Sequence, residues 1–118
     1  MAEIHGLLAQ VVLVLTLLSG AWAAVLVARG TAGGRFFVVN LGWTVGGIAL
    51  AAIVGGLLLV TGTPPADSLH LLYGALALVA LPGAAQVASG RPTRQRMTVM
   101  LIGSIVLLIL VLRLFQTG

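Results

Sequence analysis

Apolar positions in this chain form long runs, and charged positions fall in short bursts between them. No formal charge occurs in 4–28, 36–66, 68–90 or 97–112. A membrane-spanning helix needs about 20 mostly apolar residues, within a range of about 17–25. The first and third runs meet this directly, and turn-forming residues trim the second to about 37–61. The fourth reaches spanning length by continuing through Arg113 to about Phe115. The connections RGTAGGR, TGTPPAD and SGRPTRQR are short and rich in turn formers. Backbone polar groups cannot stay unpaired in hydrocarbon, so each run should be helical. The pattern therefore predicts helices over about 4–28, 37–61, 67–89 and 97–115. They form one domain, 1–118, an all-α integral membrane protein folded as a four-transmembrane-helix up-down bundle. Pro82 should kink the third helix rather than end it, because neighbouring helices can cover the freed carbonyl.

Composition narrows the class further. The chain is 60% hydrophobic and 7% charged, whereas a soluble domain carries roughly 25% charged residues. It cannot cover itself in water. Having no cysteine, it offers no disulfide, thiolate metal site or redox thiol. All six basic residues are arginines, and their positions have a topological explanation, so the basic balance does not point to nucleic acid. AWA at 21–23 resembles a signal-peptide cleavage site. Glu3, however, stands where that signal would place a cation, and the apolar run is too long for one. The segment reads as a retained first helix.

Arg29, Arg35, Arg91, Arg94 and Arg96 all lie in or beside the first and third connections, and none lies in the second. The positive-inside rule places those connections in the cytoplasm and both termini on the non-cytoplasmic side. Glu3, His5, Asp67, His70, Tyr73 and Arg113 then gather at the outer leaflet. Counted from the cytoplasmic helix ends at about 1.5 Å per residue, His70 stands roughly 27 Å up, Arg113 roughly 24 Å and His5 roughly 34 Å. These heights agree within about two helical turns. Each of these residues has an ordinary role at a wet helix end. Asp67 beside Ser68 suits a helix cap, Tyr73 suits the interfacial aromatic belt, and Arg113 can snorkel.

The two histidines stand out, because the chain has no others. On the first and third helices, diagonal across a bundle, His5 and His70 would supply the two axial nitrogens of a b-type haem. Arg113 would counter the propionates, Tyr73 would donate a hydrogen bond, and Gly74 would open space for the macrocycle. Below His70 the same helical face carries Gly74, Ala77, Leu81, Ala84 and Ala88, nearly all small. Small residues also drive ordinary helix packing in membranes. Gly42–Gly46, Ala51–Gly55 and Ala52–Gly56 on the second helix show that spacing. A mononuclear metal held by Glu3, His5, Asp67 and His70 is a weaker reading, suited to zinc or copper. Ser68 reads as part of a cap rather than a nucleophile. Thr16, Ser19, Thr44 and Ser104 give the interior no titrating group for an ion path.

LHLLYGALALVALPGAAQVASGR, followed by a last helix ending LRLFQTG, resembles small bacterial four-helix membrane proteins of the b-type cytochrome kind. These include cytochrome b561-like bundles and the four-helix halves of haem A synthase. The likeness covers mainly residues 64–118. It lies in histidines at helix mouths and an arginine near the end of the last helix. Those families generally use more histidines, so the resemblance implies at most one haem, on His5 and His70. One haem near the outer face does not carry electrons across the bilayer by itself. The resulting expectation is a multi-pass subunit of the bacterial inner membrane in a respiratory or photosynthetic electron-transfer system, not an enzyme by itself. Its partners would be the lipid bilayer and other membrane subunits or further copies of itself, with no nucleic acid. The alternative is a cofactor-free accessory or structural subunit that packs on a larger membrane complex; beside haem b, the cofactor expectation extends to a quinone or none.

Overall fold

The computed structural model describes all 118 residues, and all of its regular structure is helical. The helices are α1 (Ala2–Arg29), α2 (Arg35–Val60), α3 (Leu69–Ala88) and α4 (Thr93–Thr117). All four are long and apolar enough to cross a membrane. The molecule measures 48 × 21 × 20 Å, the shape of a slender bundle. Its long axis exceeds the hydrocarbon thickness of about 30 Å, leaving helix ends to reach the interfaces.

Consecutive helices run antiparallel around the bundle in the order α1, α2, α3, α4, and α4 closes back on α1. This leaves α1 diagonal to α3 and α2 diagonal to α4. Both termini share one end with the 61–68 connection, where the Asp67 amide donates to the Thr117 carbonyl at 3.1 Å. α3 and α4 make the most extensive interface, while α2 and α3 touch least. At the close interface Gly103 has no side chain, which lets α4 approach Ala84 and Ala80 of α3.

The bundle is arranged for lipid. Valines, leucines and isoleucines dominate its outer surface, while Thr16, Ser19, Thr44 and Ser104 are at most 1% exposed inside it. In a bilayer, apolar side chains gain little by turning inward, so interfaces select small residues and interhelical hydrogen bonds. Asn40 on α2 supplies such bonds. Its Nδ2 donates to the Ser19 hydroxyl and, at 3.4 Å, to the Leu15 carbonyl of α1. Thr44 and Thr16 return their hydroxyl protons to the carbonyls one turn earlier in their own helices.

Some boundaries differ from the expected ones. α4 starts at Thr93 rather than near Met97, so Arg94 and Arg96 are helical. α3 starts at Leu69 and runs unbroken through Pro82, which is exposed and faces away from the core. α1 ends at Gly30, whose φ of 65° lets the amides of residues 30 and 31 fold back onto Val27 and Leu26. The glycine pattern of α2 does not pack inside the chain as a whole. Gly42, Gly46 and Gly56 have no neighbour within 4 Å, while Gly47 meets Val12 and Gly55 meets His5.

Candidate functional site

The two histidines come together. His5 is in the first turn of α1, and His70 is the second residue of α3. Their ring centroids are 6.0 Å apart, with the planes inclined at 59°. Both rings are half-buried at the terminus-bearing end of the bundle. The diagonal placement of α1 and α3 produces this meeting, because side chains from diagonal helices face each other across the bundle axis.

Each ring is held differently. His5 lies over Gly55 of α2, where a Cβ would stand 3.0 Å from its Cε1. Its Nδ1 is buried and has no hydrogen-bond partner. His70 Nδ1 lies 3.1 Å from the Thr117 hydroxyl. That hydroxyl already donates its single proton to the Arg113 carbonyl at 2.9 Å. The assignment that satisfies both contacts has Thr117 Oγ1 accept from the His70 Nδ1–H, the tautomer that leaves the Nε2 lone pair free. A ligating histidine is commonly oriented in this way, through a bond from its other ring nitrogen.

The remaining expected residues are placed as follows. Gly74 faces α4, 4.0 Å from the Leu114 side chain at the position of its missing Cβ. Tyr73 is half-buried on α3. Arg113 is exposed and donates to Gln116 Oε1 at 3.1 Å on its own helix. It follows the buried Val111 and Leu107 by two and six residues, about 200° and 240° around the helix. Arg113 lies one turn, about 40° around α4, from the Thr117 that meets His70, and its guanidinium is exposed and bonded to Gln116. Glu3 is exposed, and Asp67 Oδ1 accepts from the Leu69 amide at 2.9 Å, bonding the first residue of α3. No group of three or more histidine, cysteine or carboxylate side chains forms a metal cluster. The expectation of a four-ligand site on Glu3, His5, Asp67 and His70 is therefore corrected, because its carboxylates serve the helix end and the surface.

Thr117 and Asn40 escaped the sequence reading. Asn40 and Thr44 are four apart, as are Arg113 and Thr117, and that spacing carries the only available signal for either. The search of known proteins adds no identity, since no family model, curated protein or solved structure matches the chain.

Proposed function

We propose that the protein is a small electron-transfer subunit of a bacterial inner membrane, holding one b-type haem between His5 and His70. The supporting observation is the imidazole pair. Rings whose nitrogens each stood about 2.0 Å from a shared metal would have centroids about 3.2 Å from it, and so about 6.4 Å apart. The observed separation is 6.0 Å.

The donor set favours a haem over a bare ion. Zinc held by protein takes four ligands, and only two neutral nitrogens converge here. A haem would need only two histidine nitrogens from the chain, and His5 and His70 would supply them. The Nδ1–H of His70, held by Thr117, keeps its Nε2 directed for ligation, and Gly55 gives the His5 ring its place. When bound, the haem iron supplies one-electron chemistry at a potential set by its axial ligands and surroundings. The chain's own helices bring the two imidazoles together at one end of the bundle. That position suits exchange with a quinol or an electron donor on the non-cytoplasmic side, with both termini there by the positive-inside rule.

A reduced-minus-oxidised absorption spectrum of the purified protein tests this. The expected result is a shifted Soret band and a sharp α band in the wild type, lost in both His5→Ala and His70→Ala. A wild type without bands, or variants that keep them unchanged, would overturn the assignment.

A second reading rests on a different observation. Gly42 and Gly46 leave a small smooth outward patch on α2, of the sort that lets another helix approach closely. On that reading the chain is an accessory subunit seated on a larger membrane complex, and a stoichiometric partner retained in mild detergent is its positive sign.

A further inference from the structure

At the end opposite the histidines, a cavity of about 330 Å³ opens between α2 and α3, with α4 as its floor. Phe37, Leu41, Ala85, Ala88 and Met100 give it an apolar lining, and Arg96 enters it from the first part of α4. It is open because α2 and α3 pack together least of all neighbouring helices. Ala85 and Ala88 extend too little to close the gap.

Arg96 makes this more than a packing defect. Its Nε is closed off from solvent and has no hydrogen-bond partner. A guanidinium stays charged at any accessible pH, and although the Arg96 side chain is only half-buried, a donor nitrogen shut off from water without a partner is costly. The chain has no anion to offer, because its only two acids, Glu3 and Asp67, sit at the other end. Arg94 adds to the positive charge, its guanidinium resting against Gly30 in the neighbouring connection. The chain has no acid near Arg96 to pair with it, so an external anion with an apolar remainder suits this guanidinium beside an apolar wall.

We propose that this groove binds an anionic phospholipid, with its phosphate on Arg96 and an acyl chain along Phe37, Leu41 and Met100. Basic pockets between transmembrane helices are known to hold anionic headgroups. The reading is independent of the histidine pair.

Native mass spectrometry of the full chain in detergent, titrated with phosphatidylglycerol, tests it. The wild type is expected to retain discrete lipid adducts. Arg96→Gln should bind about tenfold more weakly, the scale of one charge-assisted hydrogen bond. Ala85→Phe fills the groove without touching the charge and should weaken binding comparably. Arg113→Gln, at the opposite end, should bind as the wild type does. Phosphatidylcholine with the same acyl chains should bind at least about fivefold more weakly, and inorganic phosphate should displace nothing. Wild-type affinity in both Arg96→Gln and Ala85→Phe, each with helicity confirmed by circular dichroism, would overturn the proposal. So would equal binding of phosphatidylcholine, or displacement by free phosphate.

Discussion

Thr117 has one hydroxyl proton and gives it to the Arg113 carbonyl, so its oxygen is left to receive the Nδ1–H of His70. This bond ties the last turn of α4 to the His70 ring on α3. Thr117→Val removes the acceptor while keeping the shape, and frees the His70 ring to adopt the other tautomer. Loss of such an outer partner typically costs 10–100-fold in affinity. Haem retention in Thr117→Val should fall by about tenfold at unchanged helicity, and Thr117→Ser should restore it. Equal retention in the valine variant, read by absorbance per mole of protein, would show that the hydroxyl is not orienting the ring. The histidines themselves were legible in the sequence because they are only two and stand at matching helix mouths. The direction of Arg113 was not. α4 is apolar on nearly every side, so its sequence does not mark which face turns inward. Only the packing of Leu107 and Val111 against the other helices decides it.

The spans of the helices were largely readable, since hydrocarbon leaves the backbone no alternative to helix. Their ends were less so. The apolar run of the fourth segment stops at Met97, yet the helix begins at Thr93, because Arg94 and Arg96 can continue a helix outside the hydrocarbon. Helix-to-helix contact depends on a few small residues whose roles the spacing alone did not separate. Gly103 of α4 has this role against Ala84 of α3, with 2.6 Å between their Cβ positions if a methyl is added. Gly42 and Gly46, spaced like a packing motif, touch nothing within the chain. Gly103→Ala should therefore weaken the bundle by about 1–3 kcal/mol, the usual range for overpacking. Ala84→Gly in the same chain should recover most of that loss, while Gly42→Ala should cost less than about 0.5 kcal/mol. Unfolding in mixed micelles measures all three, and a Gly103→Ala chain as stable as the wild type would contradict this packing.

Across the whole molecule, charge and chemistry occupy opposite ends. Five arginines belong to the end with the first and third connections, and both acids and both histidines belong to the end with the termini. The positive-inside rule assigns the arginine end to the cytoplasm. Since the chain has no cysteine, single cysteines report sidedness cleanly. Thr63→Cys in intact cells should react with a membrane-impermeant maleimide, and Thr31→Cys, exposed in the first connection, should react only after the cells are broken. The reverse pattern would place the histidines on the cytoplasmic side. The same absence of other histidines makes the central claim directly measurable. Uniform ¹⁵N-histidine labelling marks only His5 and His70, and pulsed EPR of the oxidised protein reads which of them binds iron. Low-spin iron coupled to two labelled imidazoles in the wild type, and no such bis-histidine signal in His5→Ala, is the expected result. Iron with no histidine coupling, or coupling that His5→Ala leaves unchanged, would contradict the shared-ligand account.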